Sequence, residues 1–167
     1  WPAMALVALF AGSLMFTQIG PTRTLTHHEV LFAQPAKEML ATGNWFVPRF
    51  SGIPSTYKPP GTHWVLAATM AISGSEAEWV IRVPSAIAIV ITAVLVAAMT
   101  ARWFGMLTGV VAGLMQVTLY YVLQLGRLAE CDVFLIACTT GAFFSFAAGN
   151  IDSPRGRVHG RWLHRLF

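Results

Sequence analysis

The sequence predicts an all-α membrane protein of about four transmembrane helices, with two short interfacial helices in the first outer loop. Three observations carry this. The 167 residues are 56% hydrophobic and only 11% charged, a balance too apolar for a water-soluble domain. Four windows, 1–20, 83–101, 105–125 and 133–149, contain no Asp, Glu, Lys or Arg. The charges crowd instead between the first two windows and behind the last. A helix needs roughly 20 apolar residues to cross the hydrocarbon core, with about 17 as the lower end.

Taken in order, residues 1–20 (WPAMALVALFAGSLMFTQIG) form the first span. Trp1 stands where a basic leader region would be, so a cleavable signal peptide is poorly supported. The expectation is a piece of a longer membrane protein. Residues 21–82 form an outer loop with juxtamembrane helices at about 29–42 and 62–74. Phe32, Ala36, Met39 and Leu40 recur at i, i+4, i+7 and i+8, while Lys37 and Glu38 fall off that face, the pattern of a helix lying on a membrane surface. Gly43 is its stop signal, and Pro35 marks either its start or a bend. Residues 64–73 (WVLAATMAIS) are uncharged but too few to span. Spans at 83–101, 105–125 and 132–149 follow, with Arg102-Trp103-Phe104 turning between the first two. Gly105, Gly109 and Gly113 repeat every four residues, which lets two helix backbones approach closely inside the bundle. Cys131 and Cys138 lie about two helical turns, roughly 10 Å, apart and cannot bridge each other.

Orientation follows from the segment 150–167. It holds Arg155, Arg157, Arg161 and Arg165 against Asp152, and a short basic stretch beside a span marks the cytoplasmic side. Four spans then put the 21–82 loop and the 126–132 turn together on the opposite side. The loop carries Arg23, Lys37, Arg49, Lys58 and Arg82, which opposes the rule, but a long loop weighs less in orientation.

Several polar residues of that outer side have chemical potential. Glu29 and Asp132, with Glu130 two residues before it, lie near span edges, where partial desolvation makes a carboxylate a better base. A solvated loop acid is the plainer alternative for any one of them. Lys58 precedes Pro59-Pro60, which stiffens the backbone, so its ammonium suits a phosphate held as a point charge. Snorkelling to lipid headgroups is its other use. Arg82, before Val83-Pro84, has the same two uses. His27, His28 and His63 with Glu29 are conceivable metal ligands, but adjacent histidines do not share a helix face and no zinc spacing is present. A divalent metal is therefore possible but unsupported. The short basic tail gives no support for nucleic-acid binding.

The ordered set Glu29, AKEML at 36–40, GNW at 43–45, Pro48, Gly52, KPP at 58–60, Trp64, Gly74, Arg82-Val83-Pro84-Ser85 and Asp132 resembles the polytopic lipid-linked-sugar glycosyltransferases of the GT-C class. The likeness is to the aminoarabinose transferase and protein O-mannosyltransferase superfamily, and it covers nearly the whole chain. It implies part of a larger GT-C bundle, a multi-pass protein of the bacterial cytoplasmic membrane with its active face outside the cytoplasm. It implies a polyprenyl-phosphate-linked sugar donor, a lipid, glycan or protein acceptor, and membrane lipids as partners. It also implies roles: an acid at Glu29 at the acceptor, Lys58 on the donor phosphate, and Asp132 as the second acid. Arg82 would join Lys58 in neutralising the departing phosphate.

One departure stands out. The family's first loop has an Asp-Glu pair, and here His28 occupies the aspartate position. Either Glu29 takes over with His28 as its partner, or His28 is itself the base, imidazole being a common general base, or the activity is lost or altered. The rival classes are a transporter, which would place ionisable residues inside the spans, and a non-catalytic protein keeping the fold.

Overall fold

The computed structural model describes residues 2–17, 19–20, 24–55 and 58–150. The basic tail that set the expected orientation, with Arg155, Arg157, Arg161 and Arg165, lies outside the described residues. Seven helices and one hairpin are described: α1 (Pro2–Phe16), α2 (His27–Thr42), β1 (Arg49–Phe50), β2 (Ile53–Pro54), α3 (Gly61–Ser73), α4 (Glu78–Phe104), α5 (Met106–Thr118), α6 (Tyr120–Leu125) and α7 (Cys131–Asn150).

Among the described residues two helices are long and apolar enough to cross a membrane, Glu78–Phe104 and Cys131–Gly149. The apolar helices α1, of 15 residues, and α5, of 13, reach only about 22 and 20 Å at 1.5 Å per residue. The outer face of α7 exposes Leu135, Ile136, Phe143 and Phe146. In water such a face would associate; in a bilayer it is the solvated one.

α4 is the axis of the fold. Its central turns pack against α1, α5 and α7 through Ala86, Ile89, Ala93 and Ala97, which meet Val7, Ala11 and Met15 of α1 and Val117 of α5. Small residues set the spacing. A Cβ on Gly109 would lie 2.5 Å from both the Ala101 Cβ and the Ala97 carbonyl oxygen. One on Gly113 would lie 2.8 Å from the Ala97 Cβ. The glycine stripe is thus filled from within the bundle. The expected turn at 102–104 is helical, and Gly105 alone reverses the chain, with φ +93°, a conformation glycine adopts without a Cβ penalty.

The expected single helix over 105–125 is broken. Leu119 is extended, with φ −58° and ψ 133°, separating α5 from α6. Thr118 Oγ1 donates to the carbonyls of Leu114 and Met115, at 2.9 and 3.1 Å, a local bond that competes with helix continuation.

A second core sits over the N-terminal end of α4. Phe32, Ala33 and Ala36 of α2 pack on Leu66, Ala67 and Met70 of α3 and on Val80 and Ile81 of α4. Thus α2 and α3 form a platform at one end of the bundle. α2 begins at His27, not at Pro35, which is buried inside the helix. Gly43 closes it at φ 70° in the left-handed region, as its sequence signalled.

The β1–β2 hairpin was not anticipated. Its turn, Ser51-Gly52, has φ +51° and +79°, both positive as in a type I′ turn. Glu38 of α2 anchors it, accepting from the amides of Ser51 and Gly52 at 2.6 and 3.0 Å. The Gly52 amide first, with help from Gln34, Ser51 and Arg49, holds the Glu38 carboxyl below its ordinary value against a smaller opposing effect of burial.

Candidate active site

The platform, the hairpin and the turn between α6 and α7 enclose a cavity of about 670 Å³ at the platform end of the bundle. Apolar walls come from Leu31, Phe32, Phe50, Leu125 and Leu128, and the polar groups are His28, Lys58, His63, Glu130, Cys131 and Asp132. A mostly apolar pocket with a few convergent polar groups is the usual form of a small-molecule site. Three of the five expected site residues, His28, Lys58 and Asp132, therefore share one cavity.

The other two, Glu29 and Arg82, lie behind its wall and are joined to each other. Both side chains are fully buried, at 0% exposure. Arg82 Nε donates to Glu29 Oε1 at 2.7 Å and Arg82 Nη2 to Oε2 at 3.1 Å, a bidentate fork. Arg82 Nη2 also donates to the Thr24 carbonyl at 3.1 Å. Glu29 receives two backbone donors as well, the Thr26 amide at 2.9 Å and the Ala129 amide at 3.3 Å.

The local sequence explains why Glu29 sits there. Thr26-His27-His28-Glu29 is a T-x-x-E capping box: the Glu29 amide donates to Thr26 Oγ1 while the Glu29 carboxylate accepts from the Thr26 amide. Burial by itself pushes the Glu29 carboxyl upward. The Arg82 hydrogen bond, the Thr26 amide, the Arg82 charge and the Ala129 amide together outweigh it and hold the carboxyl below its ordinary value. Glu29 is an anion whose lone pairs are already engaged. Arg82, in α4, directs its guanidinium to Glu29 and the Thr24 carbonyl and does not line the cavity.

The Ala129 bond matters because of its neighbours. Leu128 and Glu130 both line the cavity, so Glu29 fixes the segment presenting them. A second clamp acts two residues earlier. Arg127 donates through Nε and Nη2 to the Leu14 carbonyl at 3.1 and 2.8 Å, satisfying a carbonyl in the last turn of α1 with a cation the helix dipole favours. The α6–α7 turn is therefore tied to α1 on one side and to α2 on the other.

Of the remaining polar groups, Asp132 is exposed in the first turn of α7 and accepts from the Cys131 thiol at 3.3 Å. Lys58 stands within hydrogen-bonding reach of the same thiol. Burial pushes the Glu130 carboxyl above its ordinary value; Asp132 and Glu29 add to this, while His28 and Lys58 oppose it. His63 is buried and bonds the Phe32 carbonyl through Nδ1 at 3.2 Å. That carbonyl can only accept, so Nδ1 carries the proton. Burial pulls its pKa down despite this bond, leaving a neutral structural imidazole. Among the described residues no three His, Cys, Asp or Glu side chains converge as a metal-binding group.

Glu130 was named in the sequence only as the neighbour of Asp132. Its place in the cavity depends on the clamped turn, which no local pattern reveals. Arg127 carried no signal beyond its charge. Of Glu29's bonds only the capping bond to Thr26 has a local signal, the T-x-x-E spacing; those to Arg82 and Ala129 are long-range.

The chain resembles curated proteins of one description. The undecaprenyl phosphate-alpha-4-amino-4-deoxy-L-arabinose arabinosyl transferase of Edwardsiella ictaluri (strain 93-146) is 32% identical over 134 residues, 79% of this chain and 24% of the relative. The protein of the same name from Shewanella sediminis (strain HAW-EB3) is 28% identical over 158 residues, 93% of this chain and 29% of that one. That of Pseudomonas savastanoi pv. phaseolicola (strain 1448A / Race 6) is 41% identical over 59 residues, 35% of this chain and 11% of the relative. The chain thus spans about a quarter of the length of the first two. No solved structure matches it. The family described as dolichyl-phosphate-mannose-protein mannosyltransferase matches residues 57–155, from the segment bearing Lys58 through α7. That match covers more than half of the sequence, and the chain belongs to this family.

Proposed function

We propose that the protein is an integral-membrane glycosyltransferase that moves a sugar from a polyprenyl-phosphate donor to a lipid, glycan or protein acceptor, with the cavity as its reaction site at the outer membrane face. The observation that carries this is the meeting of Lys58, His28 and Asp132 in one apolar-walled cavity at the end of a helical bundle. The names of the relatives support a sugar carried on undecaprenyl phosphate. Four spans, with α1 and with α5 plus α6 completing the two long helices, agree with that placement.

The residues divide into two groups. Lys58, on the stiff Pro59-Pro60 segment, meets the negative charge that accumulates on the departing phosphate, an effect strengthened where water is excluded. His28 of α2 and Asp132 of α7 orient the acceptor. Glu29 and Arg82 are positioning residues: the buried pair holds the first turn of α2 and, through the Ala129 amide, the turn that carries Glu130. In this arrangement His28, not Glu29, is the group of the His-Glu pair that faces substrate.

Membranes containing the full-length protein, incubated with a radiolabelled polyprenyl-phosphate sugar, test the proposal. Transfer of label to an acceptor supports it, and Lys58→Ala is expected to raise the donor KM and lower kcat. Label moved across the membrane without transfer would make the protein a transporter. Unimpaired transfer by Lys58→Ala would remove the phosphate role.

A further inference from the structure

Three carboxylates stand at or behind the cavity, and their surroundings differ. Glu29 is saturated by Arg82 and by the amides of Thr26 and Ala129. Asp132 is exposed, accepts from a thiol and sits at a helix start, where the dipole favours the anion. Glu130 is half-buried, lines the cavity, and makes no carboxylate hydrogen bond among the described residues. The Ala129 amide and the Arg127 side chain, one and three positions before it, tie down the backbone leading into it. A proton acceptor must be held within hydrogen-bonding reach of the group it deprotonates, and this turn is anchored to both α1 and α2.

We infer that Glu130 is a catalytic residue, taking the proton from the acceptor hydroxyl during sugar transfer. The inference rests on the glycosyltransferase assignment and names the proton acceptor within it. The acceptor oxygen forms a bond to the anomeric carbon, and the bond from that carbon to the donor phosphate oxygen breaks. The bonding pair leaves with the polyprenyl phosphate, whose charge Lys58 meets, while the hydroxyl proton passes to the Glu130 carboxylate.

The charged and titratable groups facing Glu130 are His28 and Glu29 from α2, Lys58 ahead of α3, and Asp132 of α7, with His63 of α3 in the same cavity. Burial leads in raising its proton affinity, reinforced by Asp132 and Glu29 and opposed by His28 and Lys58. Environments that push neighbouring carboxylates apart separate their acid–base roles.

The test uses the full-length protein with a radiolabelled polyprenyl-phosphate sugar, across pH. In the wild type kcat falls as pH drops through the Glu130 pKa, at higher pH than an ordinary carboxylate would give. Glu130→Gln is expected to lose about 10²–10⁴-fold in kcat with the donor KM little changed, and to lose that acid limb. Glu130→Asp restores part of the rate with the limb displaced. An independent readout is dicyclohexylcarbodiimide, an apolar reagent that adds to protonated carboxyls. As pH is lowered it should label Glu130 at higher pH than Glu29. Full transfer by Glu130→Gln from an active wild type, or absence of label on Glu130, overturns the inference. A wild type that transfers nothing overturns the glycosyltransferase assignment and, with it, this role.

Discussion

Replacing Arg82 with methionine leaves a carboxylate in a place without water. The substitution removes the 2.7 and 3.1 Å bonds to Glu29 and the bond to the Thr24 carbonyl. It strands Glu29, at 0% exposure, with only two backbone donors. Breaking a buried pair in this one-sided way costs about 3–5 kcal/mol, whereas removing both charges costs much less. Arg82→Met should therefore destabilise the platform more than the double variant Glu29→Gln/Arg82→Met. The pH dependence supplies the sign. In the wild type the folded Glu29 carboxyl lies below its unfolded value of about 4.3, so its stabilisation is present above that pH. The stabilisation is lost as pH falls through the lower folded value. Without Arg82, burial dominates and lifts the folded value above the unfolded one. The variant should then gain stability relative to the wild type on mild acidification, as Glu29 takes up a proton. Thermal unfolding of the full-length protein in detergent, followed by tryptophan fluorescence at several pH values, reads both effects. A single variant as stable as the double, or one that weakens on acidification in step with the wild type, would refute the reasoning.

Gly109→Ala should lower the unfolding temperature, because its Cβ would meet the Ala97 carbonyl at 2.5 Å and the Ala101 nitrogen at 2.7 Å. Backbone atoms cannot swing aside, and overpacking of this kind costs about 1–3 kcal/mol. Gly141→Ala, which meets nothing within 4 Å, serves as the neutral control in the same melt. Glu38→Gln should free the β1–β2 hairpin while leaving the bundle intact, detected as faster proteolysis between Arg49 and Pro54. The same loosening should appear in the wild type at low pH. The Glu38 carboxyl is held down chiefly by the Gly52 amide, so the tether is present above the ordinary glutamate value and fails as pH falls through the folded one.

The sequence disclosed best what depends on neighbours close along the chain. The apolar spacing of Phe32, Ala36 and Met39 located α2 and its buried face, and Gly43 located its end. Residues 62–74 were read as a short helix, and α3 runs Gly61–Ser73. The four-residue spacing of Gly109 and Gly113 located a close helix contact. Features resting on a single local competition were missed. The break at Leu119 is a change of backbone conformation at one residue, and the hairpin is only two residues per strand. At the site, the sequence named His28, Lys58 and Asp132, which the fold gathers. It also named Glu29 and Arg82, which the fold pairs across 53 positions. Composition marks both as charges near a membrane surface, but only the packing of α2 on α4 decides that each faces the other and not a ligand. Glu130 was named beside Asp132 but given no role of its own, because an acid in a short turn ordinarily faces water.

Joining α4 to α5 through Gly105 alone has a mechanical consequence. A one-residue connection gives no slack, and the clefts at Gly109 and Gly113 are already filled by alanines, so these two helices cannot slide along each other. They behave as one rigid beam. Among the described helices, relative motion must therefore come from the segments flanking that beam, the surface pair α2 and α3 or the thinly covered α7.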